Sequence, residues 1–229
     1  MLKVNSTIRG LLKANGYIDS TMSREIQQLI PWVCQELEAA GAPIFSGQYN
    51  LNLFGLRNIS ATNEWNDWLG CLYQSTNNEW ILVFAKGTTD PGLFYLQNPM
   101  NPNGTGILPN GVHRGLWKLG LHKGQYEAFV QAKAITIHRD DDRDNLIEIT
   151  PEDNDTGWFG CNGHKNYRNN TEGVNKASAL CQVWLDDRAF DRFLALARLQ
   201  IKSKRGTTFS YTLIDLTNRQ GELPSILKG

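Results

Sequence analysis

The chain has 229 residues, 41% hydrophobic and 20% charged, with Lys+Arg 23 balancing Asp+Glu 23. That length supports a sizeable core, and the composition excludes a disordered or collagen-like chain. A formal net charge of zero excludes a broad electrostatic grip on nucleic acid, and no apolar run is long enough to span a bilayer.

Residues 1–45 read as a small helical region. Ser20-Thr21 precede apolar positions at Ile26, Leu29, Ile30, Val33, Cys34 and Leu37, close to helical spacing. Pro31 either kinks that run or opens a second helix, and Gly41-Ala42-Pro43 ends it. The region is either a packing appendage or a small wall- or partner-binding module. From about residue 46 to 229 the pattern is mainly β. Residues 49–54 alternate, and residues 80–84 form a short apolar run bounded by polar residues, as in a buried strand. A turn at 87–92 leads into the apolar run Leu93-Phe94-Tyr95-Leu96, which reads with the strands. Residues 97–111 are loop, rich in Asn, Pro and Gly. Further strands are predicted at 126–131 and 134–138, then an acidic, polar stretch over 139–157. A helix is predicted from Asp187 to about Arg205. Asp186 and Asp187 stand at its start, Ala189, Phe190, Phe193, Leu194 and Ala197 share one face, and Lys202, Lys204 and Arg205 precede Gly206. Phe209, Tyr211 and Leu213 alternate in a final strand. The fold class is therefore mainly β (α+β), with a C-terminal helix.

The first six residues, Met1 to Ser6, lack a hydrophobic signal core, which predicts synthesis in a cytoplasm. Cys34, Cys71, Cys161 and Cys181 are widely spaced without a C-x-x-C pair and are expected to be free thiols. Chemistry concentrates in Gly160-Cys161-Asn162-Gly163-His164 and Ser178-Ala179-Leu180-Cys181-Gln182-Val183. A thiol is a useful nucleophile when a nearby base or positive charge activates it. If one loop brings His164 to Cys181, His164 takes the thiol proton and Cys181 attacks a carbonyl. Backbone N–H groups around Cys181 then hold the oxyanion. A buried structural Cys beside a structural His is the plainer alternative.

The order His164, a spacer, then Ser178-x-x-Cys181 resembles the L,D-transpeptidase catalytic domain. Its signature is a His-Gly pair, a spacer, and Ser/Thr-His-Gly-Cys with an Arg or Asn shortly after. The segments Gly104 to Gly111, Gly120 to Tyr126 and Arg139 to Asp144 add to the likeness, the last two to an uncharacterised branch of phages and bacteria. That branch reads Gly-Ile-Asn-Ile-His and later Trp-Ser-Ala-Gly-Cys-Gln-Val. The resemblance spans about residues 50–216. It implies a β-sandwich or barrel domain over 46–229 in which Cys181 is the nucleophile, His164 the base and Ser178 the hydroxyl that orders the loop. His122, Asn162, Gly163 and Gln182 are the candidate substrate contacts. The implied substrate is bacterial peptidoglycan, attacked at a stem-peptide or cross-link amide through a thioester. A bacteriophage endolysin fits best: a lysis hydrolase that waits in the host cytoplasm and reaches the cell wall or periplasm with a holin. The alternative is a non-catalytic wall-binding or virion structural protein of the same fold. Leu180 replaces the family's Gly before the nucleophile, Ala179 its His, and Gln182-Val183 its downstream Arg or Asn.

No cofactor is required by this chemistry. Asp140, Asp142 and Asp144 match the first ligands of a calcium loop, with Asn145 where such loops place Gly; Pro151 stands at the twelfth position, and Glu148 or Glu152 would substitute for its Glu. The plain reading is a solvated acidic turn. His113 and His122 lie in a Gly-rich, basic and aromatic stretch. A zinc amidase using His113, His122 and His164 would lack the usual helical ligand spacing. Trp65, Trp68 and Trp80 read as core residues or as the lining of a glycan groove.

Overall fold

Runs of Leu, Val, Phe and Trp become strands wherever Asn, Gly and Pro bound them. The computed structural model describes residues 16–21, 23–149, 154–167, 170–217, 219, 224 and 227. The strands are β1 (Ile18–Asp19), β2 (Asn52–Arg57), β3 (Asp67–Gln74), β4 (Trp80–Thr88), β5 (Thr105–Ile107) and β6 (Gly111–His122), then β7 (Tyr126–Gln131), β8 (Ile135–Asp140), β9 (Asn154–Gly157), β10 (Gly163–Lys165), β11 (Gln182–Trp184) and β12 (Thr208–Asp215). The helices are α1 (Arg24–Gln27), α2 (Ile30–Ala39), α3 (Leu93–Gln97) and α4 (Asp187–Lys202).

The main sheet runs β1-β4-β11-β10-β7-β6-β12-β2-β3, and β3 also pairs with β4. The strands from β4 round to β3 therefore close into a ring, with β1 added to the flank of β4 opposite β3. Pairing is mixed. β10–β11 and β12–β2 are parallel, whereas β2–β3, β3–β4, β6–β7 and β6–β12 are antiparallel. β5, β8 and β9 form a separate small antiparallel sheet.

Alternate residues along β2, β3, β4 and β12 feed two cores. Leu53, Leu69, Cys71, Val83, Ala85, Tyr211 and Leu213 join one with Trp117, Phe129 and Trp184. Phe54, Trp68, Leu72, Leu82, Phe84 and Ile214 join the other. α4 closes the first core with Ala189, Phe190, Phe193, Leu194, Leu196 and Ala197. Its register follows from Asp186, whose carboxylate accepts the Arg188 and Ala189 N–H groups and so satisfies donors that a helix N-terminus leaves unpaired. α1 and α2 cover the second core with Ile26, Leu29, Val33 and Leu37. The predicted N-terminal helical region thus shares a core with the sheet. Its residues 1–15 lie outside the described residues. Pro31 sits in the first turn of α2, where its missing N–H costs nothing.

Several elements depart from expectation: β3 has no predicted counterpart, and β5 lies inside the stretch 97–111 read as loop. Residues 93–97 form a helix, begun where Gly92 bonds to the Ser178 carbonyl. The stretch 111–122, read only as Gly-rich and basic, is the longest described strand. It crosses from β12 to β7 and ends on His122.

Candidate active site

The site is built where the β6–β7 hairpin meets the parallel pair β10–β11. His122 closes β6, and the turn is made by Lys123 and Gly124 with φ of 49° and 72°. The Gln125 N–H donates to the His122 carbonyl at 2.9 Å. Successive left-handed residues give a hairpin turn the twist its strands need, and a lysine there costs about 1 kcal/mol that a glycine avoids. β7 joins β10 through Phe129 opposite Gly163. β10 lies beside β11 with Gly163 opposite Gln182 and His164 opposite Val183. In-register neighbours share a face and alternate along each strand, so Asn162 and His164 stand on the side of Cys181. His122, Gly160, Asn162, His164 and Cys181 line one cleft of about 400 Å³. Its far wall comes from β5 and β8, through Gly104, Thr105, Gly106, Ile137 and Arg139.

A chain of hydrogen bonds fixes the two rings. The Gln131 N–H donates to Asn162 Oδ1 at 2.9 Å, which orients the amide. Asn162 Nδ2 then faces His122 Nδ1 at 3.1 Å and donates to it, so the His122 proton sits on Nε2. His164 Nδ1 lies 2.8 Å from the Lys165 carbonyl. A carbonyl only accepts, so this nitrogen carries the proton and Nε2 keeps its lone pair. The rings lie against each other tilted by 33°, centroids 4.2 Å apart. One offers the cleft a donor and the other an acceptor. Burial first, then the Lys123 charge, pushes His122 down to about 4. Burial first, then His122 and Lys123, pushes His164 down to about 3. Both are neutral at pH 7.

Cys181 is half-buried. Its thiol donates to the Gly160 carbonyl at 3.3 Å. Burial raises its pKa, opposed by the Asn162 backbone N–H and the Lys123 charge. The resting site therefore holds a protonated thiol and neutral rings.

This burial of neutral histidines has a measurable signature. Below pH 6.5 the unfolded chain binds a proton that the folded rings refuse, so their contribution to stability falls as pH drops from about 6.5 toward 4. The gap in urea midpoint between wild type and His164→Gln is expected to shift against the wild type between pH 7 and pH 5. A gap that holds constant would mean His164 titrates normally.

Other predicted site residues fall elsewhere. Ser178 Oγ donates to the Cys181 carbonyl at 2.8 Å and is buried, so it orders the loop. Gln182 is fully buried off the cleft: Nε2 donates to Thr89 O at 3.1 Å, and Oε1 accepts the Tyr211 hydroxyl at 2.7 Å. It ties strands together, because β11 is buried on both faces, and does not reach substrate. Gly163 likewise faces the core; a Cβ there would lie 3.1 Å from the Trp184 ring and 3.2 Å from Phe129 Cβ. The Gln182 N–H is committed to the Asn162 carbonyl at 2.9 Å, which removes it from the expected oxyanion hole. Leu180 is buried in the core and keeps a negative φ. Cys161 is buried, with its thiol toward the Leu180 carbonyl, and all four cysteines are free. His113 donates Nε2–H to the Pro109 carbonyl at 2.8 Å, away from the cleft.

The acidic turn is local. Asp140 is buried and accepts the Glu148 N–H at 3.0 Å; burial, then Asp142, Asp144 and Glu148, raise it to about 6. Asp142 and Asp144 accept the N–H groups of Asp144 and Leu146. The left-handed residue is Arg143, not Asn145, whose side chain accepts from Gln97. Among the described residues no group of three or more His, Cys, Asp or Glu gathers to hold a metal. Pro151 and Glu152 lie outside the described residues. Trp68 belongs to the second core, with the Lys86 ammonium 4.1 Å from its ring centroid.

Sequence reasoning missed Gln131. Its Oε1 accepts the Phe159 and Cys161 N–H groups at 3.0 Å each, and its Nε2 donates to the Lys133 and Gly157 carbonyls. This one amide holds the loop that presents Gly160 and Asn162. A polar residue at the inward end of an otherwise apolar strand was its signal. Compared with protein families, curated proteins and solved structures, the chain matches none.

Proposed function

We propose that this chain is a cysteine enzyme of bacterial peptidoglycan that cleaves a stem-peptide or cross-link amide through a thioester. The observation that carries this reading is one cleft holding a thiol, a ring nitrogen that accepts a proton and a ring N–H that donates one. The resemblance of the His164 and Ser178-x-x-Cys181 segments to the L,D-transpeptidase domain supplies the substrate class. In the first step Cys181 turns from the Gly160 carbonyl toward His164. His164 Nε2 takes the thiol proton as sulfur bonds to the substrate carbonyl carbon. Negative charge gathers on the carbonyl oxygen, and His122 Nε2–H is the donor placed to hold it. Collapse breaks the C–N bond, and the amine leaves with the proton from His164. Water, deprotonated by His164, attacks the thioester and restores the thiol. Lys123, Tyr167 and Lys176 are exposed on the cleft, so water has access and hydrolysis is favoured, as in a bacteriophage lysis enzyme.

The buried Leu180 and the raised thiol favour a second reading, a wall-binding or virion protein that keeps the fold without the chemistry. Incubation with purified peptidoglycan separates the two. Wild type is expected to release muropeptides whose masses name the bond, and Cys181→Ala to release none. Equal release from both would remove Cys181 from the chemistry. No release from either, with retention on insoluble wall, would leave the binding protein.

A further inference from the structure

We infer that the cleft selects amides carrying a free carboxylate near the scissile bond, and that Lys123 reads that carboxylate. The inference rests on the cysteine-enzyme reading above and adds to it which substrates enter. Among the described residues three cations, Lys123, Arg139 and Lys176, line the cleft, and no Asp or Glu does. The whole chain balances Lys+Arg 23 against Asp+Glu 23, so the imbalance is local. Arg139 is already engaged: it pairs with Asp155 at 2.7 Å and donates to the Gly104 carbonyl at 3.1 Å. The Lys176 ammonium lies 3.9 Å from the Phe94 ring centroid. Lys123 has no carboxylate within ion-pair distance among the described residues. It is exposed, yet the left-handed turn after His122 fixes its backbone at the cleft rim. Its charge acts on His122, His164 and Cys181 together, which places it beside the reacting groups.

The position of Lys123 also answers a loss. The domain that this chain resembles carries an Arg or Asn just after the nucleophile, and here Gln182 and Val183 are buried there. The Lys123 ammonium is a cation from a different element, the β6–β7 turn, on the same cleft. A carboxylate that leaves water for this cleft meets positive charge with no competing anion, the arrangement that concentrates and orients an acidic ligand. Stem peptides supply such carboxylates at their free termini and acidic side chains.

Alkylation of Cys181 tests this without any wall substrate. Iodoacetate and iodoacetamide react alike: the thiolate bonds to carbon and iodide leaves with the C–I electron pair. They differ in one negative charge. Because both depend on the same thiolate fraction, the ratio of their rates reports the field at the cleft alone. Peptide mass mapping assigns the labelling to Cys181 among the four cysteines. At low salt the iodoacetate preference, normalised to free cysteine, is expected to be about fivefold. It should fall toward one in Lys123→Gln and in high salt, and persist in Lys123→Arg. A ratio near one in wild type, or one unmoved by Lys123→Gln, overturns the inference and leaves the cysteine-enzyme reading intact. Failure of both reagents to label Cys181 overturns both.

Discussion

His164→Gln is expected to lower the rate of Cys181 acylation by about 10²–10⁴-fold at pH 7, the range for loss of a positioned general base. The reason lies in the resting protonation states. Burial keeps the thiol above its ordinary pKa and holds His164 near 3, so almost no thiolate forms before substrate arrives. On the proposed cysteine-enzyme reading, proton transfer then accompanies attack, with His164 Nε2 as the acceptor. Two pH profiles follow. Wild type should be flat from about pH 5 to pH 8, because its base is already neutral throughout. In His164→Gln the residual rate depends on free thiolate and should rise about tenfold per pH unit. Rapid-quench measurement of acyl-enzyme formation across that range checks both. A wild-type acid limb near pH 6 would mean an imidazolium–thiolate pair and would sink the neutral-base account.

Arg57→Met is expected to destabilise the fold by about 3–5 kcal/mol, the cost of stripping one partner from a buried charge network. Against a total stability of roughly 5–15 kcal/mol this is a large fraction. Arg57 is fully buried at the end of β2. Its Nε lies 2.9 Å from Asp90 Oδ1, and its Nη1 donates to Leu108 O at 2.8 Å and Asn110 Oδ1 at 3.1 Å. Nη2 donates to Thr89 O at 3.2 Å. The Thr89 N–H and hydroxyl in turn donate to buried Asp67. One guanidinium thus pairs with one buried carboxylate, donates to two backbone carbonyls, and meets the second carboxylate through Thr89. Methionine fills the space and takes the donor from Asp90, Leu108 O and Asn110, while Thr89 O keeps only Gln182. Burial raises Asp67 and Asp90 above the usual carboxylate range, and losing the cation that opposes this at Asp90 raises Asp90 further. A carboxyl whose folded pKa is raised contributes stability at low pH that is lost as pH rises through the folded value. Urea midpoints of wild type and Arg57→Met should therefore lie closer at pH 5 than at pH 7.5. The effect reaches the site, because Thr89 O also accepts from Gln182, the residue after Cys181. Equal midpoints in the two proteins would show the network to be energetically idle.

What the sequence disclosed depended on whether one residue's pattern sufficed. α4 was legible: Asp186 caps it, and its apolar face repeats at helical spacing. Residues 126–131 were legible because an apolar strand lay between turn formers. β3 was missed because both its faces are buried, so Trp68 to Leu72 show no alternation; Gly70 is there for the Phe54 ring, which an added Cβ would meet at 2.1 Å. β6 was missed because its glycines interrupt the apolar count and its partners are distant in sequence. Cys181 and His164 were legible as a motif, and the structure sets both on one cleft. The proton positions were not, because they depend on Gln131 and Asn162, which meet only through the β7–β10 register. Gln182 and Gly163 were assigned to substrate by their neighbours in sequence, whereas strand alternation turns them inward.

The closed ring of strands has a consequence for how the molecule comes to exist. β12 lies between β2 and β6, with Tyr211 opposite Leu53 and also His113. The ring therefore stays open until the chain has been made through residue 215. Until then the edges of β2 and β6 are bare templates for another chain, and the aromatic face of α4 has no completed core to enter. Such distant pairings make folding slow, because loop closure must precede the contacts that reward it. A nascent chain long enough to contain Cys181 and His164 still lacks the strand that closes the ring behind them. Any activity this cleft has is withheld from the unfinished polypeptide, and the ribosome-bound stage is when the chain is most exposed to misassembly.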